Sequence, residues 1–556
     1  MLGWGFFADD YGHQIALSGE AELPSMRPWS LYDFGDLGDG EWSVLPPGTF
    51  PWWTSPDWKV RFFRPLASLS LWLDHAVFGS LAFGYHLVGL ALFAVSLALA
   101  WRLYRALGLA PRAALLALAF LACEDGSVTA VGWLANRNTL LEAIFVTAAV
   151  LAAVRPEGPR VALAFACALL AMLCKESGIV AAPLVAAAVV WRRRLGGASA
   201  RARNAALALG IALPALYLAW LFGQGYGARG PFYPTPWREP RLFAANLALL
   251  AVSAPAVLVL PFPIDAVHFV PGATLPVVAL GLALGVPLVL AVRRHARGAP
   301  AFGLLAFWVG ITLLPQGSAP VSDRLVFVPG IAGAALLGAY VHAVLAGEGD
   351  SSTRRARIGA WLVTLAATVV SGVALVARGV GMLDATGLLR RAVVESDVGP
   401  PELGLRDAVL LQTPAEIGFL TPLTVWVVET RDLEVRFWPL QMGRRGLVCR
   451  RTGEATLEIE STDAPFAAGA FEQVFLSATP RVAVGDRWST PLFEVEALRV
   501  EAGLPRRIRL RFPDGLDRPQ LRFLAWDGER MSPVALPAIG AELVLETVAP
   551  PHPFLP

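Results

Sequence analysis

Apolar and polar positions divide the chain into three stretches. Residues 1–80 are polar, aromatic and rich in Pro and Gly; residues 81 to about 380 hold long apolar runs parted by Arg-rich joints; residues 395–556 alternate apolar and polar positions between turns. The first stretch reads as a loop, the second as a bundle of membrane-spanning helices and the third as a small soluble β-sandwich. In that tail "LTVWVVE", "TLEIEST", "QVFLSA", "FEVEALRVE", "RRIRLRF" and "AELVLETV" carry the period of two expected of half-buried strands. No internal repeat is evident.

Composition sharpens this. Of 556 residues 55% are hydrophobic and only 16% charged, and the mean hydropathy is +0.55, so the class is a polytopic α-helical membrane protein rather than a soluble globule. A formal net charge of +2 gives no basis for a nucleic-acid partner. Cys123, Cys167, Cys174 and Cys449 lack metal-ligand spacing and read as free thiols.

Orientation follows from arginine, which accumulates on cytoplasmic loops. The basic joints are Arg102–Arg112, Arg155–Arg160, Arg192–Arg203, Arg293–Arg297 and Arg354–Arg357. With these inside, the first loop, residues 124–139, "KES" at 175–177, residues 224–272, residues 315–325 and the tail all face outward. Residues 241–262 break this count. A full crossing there would turn Arg293, Arg294 and Arg297 outward, and Pro255, Pro261 and Pro263 interrupt regular helix, so an interfacial or re-entrant element is expected. Eight residues before Asp9 cannot carry the loop across a membrane, so "MLGWGFFA" reads as the tail of a helix that begins upstream.

Ionisable groups gather on the outward side: Asp9, Asp10 and His13; Lys59, Arg61 and Arg64; Glu124, Asp125 and Arg137; Lys175 and Glu176; Asp323 and Arg324. Roughly 14 apolar residues flank "KES" on each side, and helical arms of about 21 Å are shorter than a hydrocarbon core of about 30 Å. The tip should therefore lie below the outer surface, in a cavity, unless Lys175 and Glu176 simply pair to neutralise a turn. A carboxylate beside cations at the bilayer edge suits glycosyl transfer: the carboxylate acts as base on an acceptor hydroxyl or holds a divalent metal, while Lys and Arg hold the phosphate of a lipid donor.

Four blocks carry a resemblance: "FFRPLASLSLWLDHAVFGSLAFGYHLVGLALFA" (62–94), "GWLANRNTLLEAIF" (132–145), "LLAMLCKESGIVAAPLV" (169–185) and "SDRLVFVPGIAGAALLG" (322–338). In this order they resemble the GT-C membrane glycosyltransferase superfamily, above all its protein O-mannosyltransferase-like members with tetratricopeptide repeats and uncharacterised bacterial relatives. The likeness spans residues 6 to about 345. It implies a GT-C-like helical bundle in a bacterial inner membrane, to which the patterning adds the extracytoplasmic β domain. It implies that Asp9 and Asp10 match the acidic motif supplying the catalytic carboxylate, and that Arg64, His86, Arg137, Lys175, Glu176 and Arg324 match positions that bind the donor. Glu124 and Asp125 replace a histidine motif and become acidic candidates, Gly89 stands where Asn is common, and no tetratricopeptide repeats follow.

Other readings compete. Trp52, Trp53 and Trp58 in "FPWWTSPDW" either anchor the loop at the interface or stack on sugar. His86 and His268 also read as satisfied structural histidines. The leading function is hexosyl transfer, inverting or retaining, from a lipid-phosphate sugar donor to an acceptor protein, lipid or glycan. The alternatives are a transporter or flippase of lipid-linked polar cargo and a non-catalytic scaffold. Outward clustering of charge favours the enzyme, because a transporter needs polar groups along both halves of its path.

Overall fold

A computed structural model describes residues 1–19, 25–39, 48–155, 157–270, 272–299, 301–347, 353–416, 422–478 and 481–549. Among these, seven helices are long and apolar enough to cross a membrane: Ala82–Ala106, Leu134–Val154, Ala200–Gly223, Pro240–Val257, Thr274–Ala296, Asp323–Ala346 and Arg354–Val394. Leu134–Val154 and Asp323–Ala346 have 78% and 89% of their apolar windows buried, against 17–33% for the other five, so these two form the middle of the bundle. Close packing there uses small residues. A Cβ on Gly338 would stand 2.4 Å from the Ala113 carbonyl, so the bare glycine lets Pro111–Cys123 lie against the central helix.

Neighbouring helices pair as hairpins, Ala82–Ala106 with Pro111–Cys123, Arg137–Val154 with Val161–Cys174, and Ala181–Arg194 with Ala200–Gly223. Their connecting turns are the arginine-rich joints, which therefore lie at one end, while residues 124–136, 175–180 and 314–326 lie at the other. The arms on either side of "KES", Val161–Cys174 and Ala181–Arg194, each have 14 residues.

Pro240–Val257 illustrates why length alone does not decide a crossing. Near its start the Asn246 amide donates to the carbonyls of Gly317 and Ala319 (3.3 and 3.2 Å). Just beyond its end His268 Nε2 lies 2.8 Å from the Val321 carbonyl. Both ends thus meet the 316–321 turn, and the segment returns to the end from which it set out. His268 is accordingly held by the backbone.

The tail holds two sheets. One is six-stranded and antiparallel, with Leu447–Gly453, Thr456–Ser461, Leu504–Arg511 and Glu494–Glu501 at its centre. The other has four strands, in which Arg406–Leu410 pairs parallel to both Val435–Pro439 and Leu521–Trp526. Val409, Leu411 and Trp438 face Leu447, Ile459 and Ile508 between the sheets. The alternate residues Ala408, Leu410 and Phe437 face away, onto Tyr11, Leu71, Tyr85, Ala392 and Val393. The four-stranded sheet is therefore buried on both faces and joins the tail to the helical part. The helix Arg354–Val394 runs past the expected boundary near 380, and its last turn belongs to this joint.

Four expectations need correction. "LTVWVVE" lies in the helix Pro422–Thr430 because parallel neighbours need a crossover, which a strand cannot supply. "QVFLSA" begins in the 3-10 turn Glu472–Phe475. Residues 1–8 form turns and extended chain rather than helix; Trp4 Nε1 donates to the Gly379 carbonyl at 2.9 Å. The tryptophans of the first loop neither anchor in a membrane nor face a cavity. Trp52 and Trp53 are buried in the core between the two sheets and donate to the carbonyls of Leu440 and Glu472, both at 3.2 Å, and buried Trp58 donates to Val474 at 2.8 Å.

Candidate functional site

At the end opposite the arginine joints, a cavity of about 600 Å³ opens among Asp9, Arg64, Lys175, Glu176, Arg324 and Tyr233. They come from five separate places: the N-terminus of the helix Asp9–Ser18, the residue preceding the helix Pro65–Phe78, the "KES" tip (Lys175 and Glu176), the 3-10 turn Asp323–Val326 and the loop before Pro240. Gly178 lets the "KES" tip fold back, since a Cβ there would stand 2.3 Å from the Ala171 carbonyl.

The cations are held differently. Arg64 donates Nε and one Nη to Glu176 (3.0 and 2.8 Å to Oε2) and lies over the rings of Phe62 and Tyr32, at 4.4 and 5.1 Å. Lys175 and Glu176 thus do not pair with each other. Lys175 Nζ donates to the Thr139 hydroxyl (2.9 Å). Arg324 donates to the Ser322 hydroxyl (3.2 Å) and lies 4.8 Å from the centre of the Trp133 ring. Among the described residues neither Lys175 nor Arg324 forms a direct ion pair; both are half-buried, and their charges are offset at longer range, that of Lys175 by Glu142 and Glu176 and that of Arg324 by Asp265, Asp9 and Asp323.

Asp9 and Asp10 part company. Asp10 is buried; its Oδ2 accepts from the Phe7 amide (3.0 Å) and its Oδ1 from the Ala135 amide (2.7 Å), which ties the helix to the turn Leu134–Asn136. Asp9 lines the cavity. Burial pushes its carboxyl up to about 6, against the pull of Arg324 and Arg64. It is the one acidic side chain of the pair placed to exchange a proton with a guest.

The other expected site residues lie outside the cavity. Asp125 pairs with Arg378 (2.8 Å), which also pairs with Asp323. Glu124 caps the Gly126 amide (3.0 Å), and burial, then the charges of Asp323 and Asp125, raise its carboxyl well above the usual range. Arg137 is 1% exposed, pairs with Asp74 and donates to the Tyr85 carbonyl at 2.7 Å. His86 packs edge-on to Trp4, with Nε2 3.4 Å from the Gly5 carbonyl. These four residues contact protein groups and do not line this cavity. Asp74 and Arg378 went unremarked, although each is a charge inside an apolar run and needs a partner. Among the described residues no group of three or more His, Cys, Asp or Glu side chains is placed to hold a metal ion.

One side of the cavity is apolar, formed by Pro183, Ile211, Pro214, Leu218, Phe243 and Leu314. Ile211 and Leu314 remain 75% and 48% exposed, so this wall is open sideways between helices. One space thus joins a cationic end to an apolar slot.

No family model and no curated protein matches the sequence. Among solved structures, the chain is similar to the crystal structure of the Archaeoglobus fulgidus oligosaccharyltransferase tethered with an acceptor peptide. That likeness has a TM-score of 0.36 and 13% identity; it covers 77% of this chain and 64% of that chain, so the chain spans about two-thirds of that enzyme's length.

Proposed function

We propose that the protein is a multi-pass membrane glycosyltransferase that moves a sugar from a polyprenyl-phosphate-linked donor to an extracytoplasmic acceptor. The observation that carries this reading is the two-ended cavity. A lipid phosphate is an anion on an isoprenoid chain, and Lys175, Arg324 and the unused Nη of Arg64 face the same space as the apolar slot.

In this reading the isoprenoid lies along Ile211, Leu218 and Leu314, and the phosphate meets the three cations. An acceptor hydroxyl gives its proton to Asp9 as its oxygen bonds to the anomeric carbon. The bond from that carbon to the phosphate oxygen breaks, and the cations take up the charge that develops on the leaving phosphate. A carboxyl near 6 is ionised at neutral pH yet basic enough to accept the proton. Arg137 and Asp10 hold the walls.

Purified full-length protein in lipid nanodiscs, given polyprenyl-phosphate hexoses, should release polyprenyl phosphate, and Asp9→Asn should stop the release. Movement of the intact donor between leaflets, without release, would identify a transporter instead. Neither release nor movement would leave the scaffold reading.

A further inference from the structure

Phe471 sits in the C-terminal domain but takes no part in the core between its sheets. Its ring instead meets two segments of the helical part, Phe232 at 5.8 Å and Phe269, stacked, at 5.9 Å. From Phe232 the rings continue inward: Phe232 to Tyr233 is 4.9 Å, Tyr233 to Phe62 is 5.3 Å, and the Arg64 guanidinium lies 4.4 Å from the centre of Phe62. Tyr233, Phe62 and Arg64 all line the cavity. Backbone contacts fasten the same junction. Gly230, at φ +110, lies so close to the Leu476 carbonyl that a Cβ would stand 1.8 Å from it, and the Ser55 amide donates to the Phe475 carbonyl at 2.9 Å.

We infer that Phe471 is a positioning residue: from the C-terminal domain it sets the cavity's roof and, through Phe232, Tyr233 and Phe62, the Arg64 guanidinium. The physical basis is that packed rings resist displacement. With Phe471 seated, Phe232 cannot swing outward, Tyr233 keeps its T-shaped contact with Phe62, and Arg64 keeps the ring platform that holds it in the cavity lining. Phe471 is half-buried and lies outside the core between the sheets, and the hydrogen bond from its amide to Glu416 does not depend on the ring, so removing the ring should loosen the roof without unfolding the domain. The roof claim stands on geometry alone; the consequence for a phosphate rests on the function proposed above.

The test uses the full chain in nanodiscs, with amide exchange of residues 226–237 and binding of farnesyl phosphate as readouts. Phe471→Ala should speed exchange of that loop and weaken farnesyl phosphate about threefold to tenfold, the scale of coupling carried by packed side chains. Phe471→Tyr, which keeps the ring, should restore both. Gly230→Ala, which pushes the junction apart from the other side, should speed loop exchange as well. Arg64→Ala should weaken binding further, and the double variant with Phe471→Ala should be no weaker than Arg64→Ala alone. Unchanged loop exchange in Phe471→Ala, or additive losses in the double variant, would overturn the inference. If farnesyl phosphate does not bind the unaltered protein, the donor reading falls while loop exchange still decides whether Phe471 holds the roof.

Discussion

Two groups of charge lie at the same end of the helical bundle and differ in what they face. Around Arg378, the carboxylates of Asp125 and Asp323 meet one guanidinium, and Glu124 turns to a backbone amide. Around the cavity, Arg64 meets Glu176, while Lys175 and Arg324 donate to hydroxyls and feel carboxylates at longer range, Glu142 for Lys175 and Asp265 and Asp9 for Arg324. The first group closes on itself and serves as a clamp between the Arg354–Val394 helix and the turns beside it. The second group faces open space, and that access to a guest, rather than the number of ionisable groups, separates it from an internal tie.

The largest effect expected is at Asp9. Asp9→Asn should lower transfer about 100-fold to 10,000-fold, the range for losing a general base, while Tm holds or rises, because a carboxyl raised by burial costs stability when ionised. Asp10→Asn should retain kcat in the folded fraction, because Asp10 accepts from the Phe7 and Ala135 amides rather than facing the cavity; the new side-chain amide can accept from only one of those donors, a loss of about 1–3 kcal/mol set against relief of the burial that pushes this carboxyl up to about 8.

Arg324→Ala and Arg378→Ala compare the two groups directly. The first should raise KM for the donor about 10-fold to 100-fold with little change in Tm, as for a lost hydrogen bond between charged groups. The second leaves two buried acids without their cation and should cost about 3–5 kcal/mol in a denaturation midpoint. Equal effects on KM would erase the distinction between clamp and site.

The pH profile is a finer probe. The Asp9 carboxyl is protonated in the folded protein below about 6, so kcat/KM should fall about tenfold per pH unit below that point, and Asp9→Asn should flatten the limb. Smallest of all, Glu124→Gln should leave transfer within about twofold, since its oxygen caps Gly126 and an amide oxygen can do the same. A loss as large as that of Asp9→Asn would move the chemistry to the acidic group.

Hydropathy made the helices legible, and the arginine joints made their alternation legible, because both are properties of short segments. The return of residues 240–268 was readable from its prolines and from the charge count. Convergence of Asp9, Arg64, Lys175, Glu176 and Arg324 on one end was legible for the same reason. The division between Asp9 and Asp10 was not, because it depends on where the Ala135 amide lies, 125 residues away. Arg137 looked like a ligand for want of its partner, Asp74, which is recognisable only as a charge in an apolar helix. Period-two patterning misjudged "LTVWVVE" because a short, wholly apolar helix and a buried strand share the same composition. Trp52 and Trp53 were misplaced because their pocket is built by residues near 440 and 472.

That last arrangement has a consequence for biogenesis. A ribosome releases the first loop long before it has made the strands that receive Trp52 and Trp53, so these indoles must wait, unburied, through the insertion of every apolar helix. The junction where Phe471 meets Phe232 and Phe269 is likewise completed only by the final third of the chain, so a half-made copy would lack it.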